Sequence, residues 1–201
     1  MIPREVATSY DLIADRWNDG SFPQSNGIHQ HERAIAFLTQ KRNALDIGCG
    51  CSGRIIDLLL EQGFAAEGLD ISGRMIRLAR ERHPVLIFHH ADICEWEPQK
   101  SYDFISAWDS IWHVPLAAQE AVMRKIMHAL APGGIFIFTT GGLDAPSEKV
   151  DAAMGPKMYY SVLGIPRTLE LLSECGCVSR HLEYDQYPQS HVFIIAQRVH
   201  A

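Results

Sequence analysis

No stretch of the sequence approaches the roughly 18 consecutive apolar residues that a membrane span requires. The N-terminal segment MIPREVATSYDLIADRWNDG lacks the unbroken apolar core of a signal peptide or anchor. There is no Lys/Arg-rich run either: 18 basic residues face 24 acidic ones, a formal charge of −6. Phosphate binding relies on a basic footprint, so a nucleic-acid partner is not expected, nor is a membrane. Five cysteines without an export signal read as reduced thiols in a cytoplasm. Cys49/Cys51 and Cys175/Cys177 are spaced C-x-C rather than the C-x₂₋₄-C of zinc sites, and no metal is expected. Repeats and low-complexity linkers are also missing. What remains is 201 residues, 47% hydrophobic and 21% charged, which suits one globular domain over 1–201.

Along the chain, short apolar runs alternate with segments of helical period. Strands are predicted at 43–47, 64–70, 85–89, 102–107 and 135–140, with helices over 54–62, from the Ser72 cap to 82, over 116–130 and over 169–175. Two further strands follow at 178–184 and 191–197, joined by a connection too short for a parallel crossover. The pattern predicts an α/β, doubly wound, Rossmann-like sheet of seven strands. It is mostly parallel, with one antiparallel strand near the edge and helices on both faces. Ligands of such sheets lie beyond the carboxyl ends of the strands.

At the first of those ends stands Asp46-Ile47-Gly48-Cys49-Gly50-Cys51-Ser52-Gly53. Taken as Gly48, Gly50 and Gly53, the spacing fits G-x-G-x-x-G, with Asp70 following 20 residues after Gly50. That is also the form of a dinucleotide fingerprint, so a nicotinamide-dependent oxidoreductase is one reading. Asp46 argues against it. A carboxylate at the mouth of the turn would repel pyrophosphate, no Arg or Lys is expected beside it, and a cationic group suits it better.

Here the sequence resembles the class I S-adenosylmethionine-dependent methyltransferases that act on small molecules. Leu45-Asp46-Ile47-Gly48-Cys49-Gly50 is similar to their first motif, Gly68-Leu69-Asp70-Ile71-Ser72 to the second and His90-Ala91-Asp92-Ile93 to the third. Tyr102-Asp103-Phe104-Ile105 and Leu130-Ala131-Pro132-Gly133-Gly134 resemble the later strand motifs, and Tyr10-Asp11-Leu12-Ile13-Ala14 a leading helix. Ser52 departs from the family's third glycine.

The resemblance implies S-adenosylmethionine as cofactor and a small-molecule methyl acceptor. Asp46 would meet the ammonium of the methionine part, over which the backbone of Gly48, Cys49 and Gly50 closes. Asp70 would accept the ribose hydroxyls, and Asp92 the adenine amino hydrogen. Ile71, Met75, Ala91 and Ile93 would lie along the ring. Tyr10 and Trp17 would reach the cofactor from a helical lid over 1–30, and Trp108 would stand beside it. A cofactor-binding protein without catalysis fits the same motifs.

Methyl transfer depends chiefly on alignment, worth effective molarities of about 10⁵–10⁸ M against roughly 10²–10⁴ from a base. His113 is the leading candidate base and Asp109 the second. The interval 141–167 shows no clear period and is expected to be a lid, with or without short helices, or a homodimer surface. His29 and His31 are poorly spaced on a helix to share a metal, and His89 and His90 point to opposite faces of a strand.

Overall fold

The computed structural model describes residues 1–20 and 22–199. Its first half runs α1 (Pro3–Ile13), α2 (Asp15–Asn18), α3 (Ile28–Ile35), β1 (Asn43–Ile47), α4 (Arg54–Glu61), β2 (Ala65–Asp70), α5 (Gly73–Arg82) and β3 (Ile87–His90). Then come β4 (Tyr102–Ala107), α6 (Leu116–His128), β5 (Leu130–Gly141), β6 (Ser147–Asp151), β7 (Met158–Val162), α7 (Ile165–Glu174), β8 (Cys177–Glu183) and β9 (His191–Arg198).

β1 and β4 are almost wholly buried, so both faces of the sheet must be covered. They sit at the centre of a sheet ordered β3-β2-β1-β4-β5-β9-β8. The first five strands run parallel, and β9 is antiparallel to both its neighbours, as the short connection before it requires. Side-chain alternation divides the core into two apolar layers. Leu45, Ile105, Phe136 and Phe138 face α6 and α7, whereas Ala44, Phe104, Ile135 and Ile137 face α3, α4 and α5. The winding direction switches between β1 and β4, and that is where a crevice must open.

Three segments differ from the sequence expectation. α6 stops at His128 and β5 begins at Leu130, because the chain enters the sheet before the Pro132-Gly133-Gly134 turn rather than after it. Pairing jumps from Tyr102↔Leu130 to Phe104↔Ile135, so the turn is a bulge inside the strand. α7 begins at Ile165, four residues earlier than expected, with Pro166 setting the backbone of its first turn. Within 141–167 the structure has no short helix but a two-stranded antiparallel sheet of β6 and β7. β6, SEKVD, is nearly all exposed, which is why it carries no apolar alternation to read.

Phe136 is fully buried and stacks on Phe138 with ring centroids 4.6 Å apart. Phe136→Ala should therefore destabilise the fold by about 3–5 kcal/mol, measured as a lower urea midpoint. A loss under about 1 kcal/mol would mean the layer repacks and is not the jigsaw described.

Candidate functional site

The turn after β1 is shaped by close approach. Gly48 (φ +71°) and Gly50 (φ +57°) adopt left-handed backbone, and a Cβ on Gly48 would lie 2.2 Å from that of Ser110. Ser110 is fixed there because its hydroxyl donates to the carbonyl of Ile47 at 2.7 Å. At the end of β2, Asp70 faces this turn. One carboxylate oxygen accepts the Gly50 N–H and the other the Ser72 N–H, each at 2.8 Å. Burial raises its pKa against the pull of those two bonds. Each oxygen keeps a second lone pair for a ligand.

Asp70 and the glycine turn border a cavity of about 610 Å³ beyond the carboxyl ends of the strands, a size typical of small-molecule sites. Gly48, Cys49, Gly50, Ile71 and Met75 line it, as do Ala91, Asp92 and Ile93 after β3. One Asp92 oxygen accepts the Cys94 N–H at 2.8 Å, which holds the carboxylate in place. Tyr10 and Trp17 close the cavity from the N-terminal helices, and Trp108 and His113 border it after β4. Twelve of the thirteen residues expected to meet the cofactor, and the expected base, are thus brought together.

Asp46 is the exception. It is only 4% exposed and lies behind the turn, not at its mouth. Burial pushes its pKa up to about 7, opposed by Arg54 and by a hydrogen bond with Ser106. The network beneath it is consistent with a neutral carboxyl. His31 Nδ1 bonds the Gly27 carbonyl at 2.7 Å and must carry the hydrogen, leaving Nε2 to accept from Ser106 at 2.9 Å. Burial keeps this imidazole neutral, its pKa lowered to about 4. Ser106 spends its one hydrogen on His31 in this arrangement.

Arg54 overturns the reasoning that no cation adjoins the turn. The first residue of α4, it folds back to the cavity wall, where Nε donates to the Asn26 carbonyl and Nη1 to Ser52, both at 2.9 Å. Its guanidinium lies 4.9 Å from the centre of the Phe22 ring. Asp46 alone therefore does not exclude an anionic ligand.

His113 is also placed differently from what a base needs. Nδ1 bonds the Tyr159 carbonyl at 2.6 Å, so Nε2 is the acceptor, and it already receives the Tyr10 hydroxyl at 2.7 Å and the Trp112 N–H at 3.2 Å. Burial pushes its pKa down to about 4. A ring this weakly basic, with its lone pair taken, orders Tyr10 rather than accepting protons.

The sequence reading missed His191 and Asp185, and named Asp109 only as a second candidate base. His191 Nδ1 meets Asp185 at 2.5 Å and Nε2 meets Asp109 at 3.0 Å. Both partners accept only, so the ring is an imidazolium, its pKa raised by the two carboxylates against burial. Topology held the signal: an antiparallel strand brings its first residue, here His191, to the ligand end of a parallel sheet.

A family described as a methyltransferase domain matches residues 24–170. Trans-aconitate 2-methyltransferase of Acidovorax sp. (strain JS42) is 37% identical over 112 residues, covering 54% of this chain and 42% of that protein. The chain spans about half the length of the curated relatives it matches. Among solved structures, the CcbJ methyltransferase of Streptomyces caelestis matches with a TM-score of 0.72 at 16% identity, over 96% of this chain and 98% of that one. The 1,6-didemethyltoxoflavin-N1-methyltransferase of Burkholderia thailandensis, solved with 1,6-didemethyltoxoflavin and S-adenosylhomocysteine bound, gives 0.66 at 18% identity, over 99% and 91%. These two likenesses show the fold.

The buried carboxyl gives stability its own pH dependence. Asp46 titrates near 3.8 when unfolded and about 7 when folded, so its contribution is full below the first value and lost as pH rises through the second. Asp46→Asn removes that loss, and its melting temperature relative to the wild type should climb between pH 5 and pH 8. A difference that stays constant with pH would refute the buried, protonated carboxyl.

Proposed function

The chain belongs to the methyltransferase-domain family, and from that premise we propose that it transfers the methyl group of S-adenosylmethionine to a small-molecule acceptor. The observation that carries this reading is Asp70, a buried carboxylate at the cavity wall whose two oxygens each retain a free lone pair. Two vicinal hydroxyls suit that pair, and the side-chain-free backbone at Gly48 and Gly50 suits a ligand pressed close. The residues present therefore fit the cofactor. When bound, it supplies a methyl group already activated by a sulfonium, and the protein supplies orientation and electrostatics.

Asp70 would hold the ribose, and Asp92 the adenine amino group, with Ile71, Met75, Ala91 and Ile93 along the ring. Gly48, Cys49 and Gly50 would close over the methionine part, whose carboxylate finds a cation in Arg54. Asp46 supports the turn from behind instead of meeting the ammonium. Tyr10, Trp17 and Trp108 would exclude water around the ligand. The nicotinamide alternative draws no support from the family or from the relatives. Turnover with any acceptor separates catalysis from binding alone.

We extend the reading to the segments outside the sheet. Residues 1–30 act as a lid, which is supported by Tyr10, Trp17 and Phe22 on the cavity wall. A lid role for 141–167 is supported by Met154 and Tyr160 on the same wall, and a homodimer surface by exposed Leu143 and Val150. None of the described helices is long and apolar enough to cross a membrane, and all five cysteines are free thiols, which supports a cytoplasmic setting.

Calorimetric titration tests the proposal. S-adenosylhomocysteine should bind and NAD should not, and Asp70→Ala should weaken S-adenosylhomocysteine at least tenfold, about 1.4 kcal/mol, with the fold intact. Binding of NAD in preference, or affinity unchanged by Asp70→Ala, would end the reading.

A further inference from the structure

The far side of the cavity differs in character from the Asp70 side. Tyr10, Trp112 and Tyr160 line it, with Trp112 and Tyr160 rings 6.5 Å apart and His113 5.0 Å from Tyr160. His113, at the centre of this group, is uncharged for the reasons given above. Asp109, His191 and Asp185 form a charge cluster there, and Lys149, paired with Asp151, lies 5.2 Å from the centre of the Tyr160 ring. In the cluster two carboxylates share one imidazole ring, and a further cation, Arg54, is reached through Asn26.

Within that cluster Asp185 and His191 are closed off, with side chains 8% and 9% exposed, whereas Asp109 is 31% exposed and lines the cavity. Asp109 is firmly aimed. Its backbone N–H donates to Thr139 Oγ1 at 2.8 Å, its Oδ1 accepts from His191, and its Oδ2 accepts from Asn26 at 3.2 Å. Each oxygen keeps a lone pair free. Arg54, the other cation on the wall, is held to Ser52 and to Asn26, the residue that also bonds Asp109, so its charge acts on Asp109 as well.

A carboxylate on the cavity wall with a lone pair free on each oxygen, sharing that wall with three aromatic rings, suits an organic ammonium. An already anionic acceptor would meet repulsion from Asp109 there. Resting on the methyl-transfer reading, we propose that the methyl acceptor is an amine, bound as its ammonium by Asp109 against Tyr10, Trp112 and Tyr160, and deprotonated by Asp109. An ammonium has no lone pair with which to attack. One N–H bond breaks, its electron pair stays on nitrogen, and the proton goes to the Asp109 carboxylate and then to water. The nitrogen then bonds the methyl carbon as the carbon–sulfur bond breaks, and that bond's electron pair remains on sulfur.

Benzylamine and benzoate are matched probes, one a cation and one an anion on the same ring. With protein saturated in S-adenosylhomocysteine, benzylamine should bind at least tenfold more tightly than benzoate. Asp109→Asn, which keeps the shape and tolerates the left-handed backbone at this position (φ 54°), should abolish that preference. It should leave S-adenosylhomocysteine affinity within threefold. Trp112→Leu removes a ring on a separate turn, and should weaken benzylamine about threefold to tenfold while sparing S-adenosylhomocysteine. With S-adenosylmethionine present, N-methylbenzylamine should appear by mass spectrometry. Equal or tighter benzoate binding, no benzylamine binding at millimolar concentration, or unchanged preference in Asp109→Asn would each overturn the amine assignment. S-adenosylhomocysteine binding in those same titrations shows whether the parent reading survives.

Discussion

The site is organised around one carboxylate held by two backbone N–H groups. Asp70 joins the glycine turn, through Gly50, to the start of α5, through Ser72, and adds to the bonds that the Gly48 and Cys49 N–H groups make to the Leu69 carbonyl. Charge-assisted bonds of this kind are worth about 1.5–3 kcal/mol each, enough to offset much of the cost of burying the carboxylate. The N-terminal helix is tied to the same point. Asp11 accepts from Ser72 Oγ at 2.5 Å and from the Arg74 N–H at 3.0 Å, while Arg74 pairs with Asp15. Asp11 thus assists Ser72 in capping α5, and by docking α1 there it turns the neighbouring Tyr10 toward the cavity. Adjacent residues of one short motif divide the work: Asp11 anchors α1, and Tyr10 faces the cavity.

What the sequence made legible is what burial writes into it. Apolar β1 and β4, the Ser72 cap and the glycines of the first turn each follow from a local rule, and together they placed the crevice and most of its lining. β6 was invisible because its residues face water, and an exposed two-stranded ribbon needs no apolar period. The start of β5 was hidden by Pro132-Gly133-Gly134, which reads as the end of a helix but here bulges within a strand already paired to Tyr102. Arg54 was misjudged for a different reason. Position in the chain puts it on α4, whereas its long side chain carries the charge back to Asn26 and Ser52, and side-chain direction has no signature in spacing.

Titratable groups were the least legible, because burial decides their charge. Asp46, His31 and His113 look like one anion and two potential cations; inside the fold burial pushes all three toward neutrality, and the hydrogen bonds of the two rings fit that form. His191 goes the other way, since two carboxylates meet its two ring nitrogens and outweigh the cost of burial. The charge that the cavity presents is therefore set by which buried groups have ionic partners rather than by which residues are present. Arg54 and the Asp70 and Asp92 carboxylates make one end amphoteric, matched to a ligand carrying both an acid group and hydroxyls. At the other end the Asp109 carboxylate shares the wall with Tyr10, Trp112 and Tyr160. A cavity so polarised orients any molecule bearing one positive charge before contacts of shape begin to act, which is the alignment on which a displacement reaction depends.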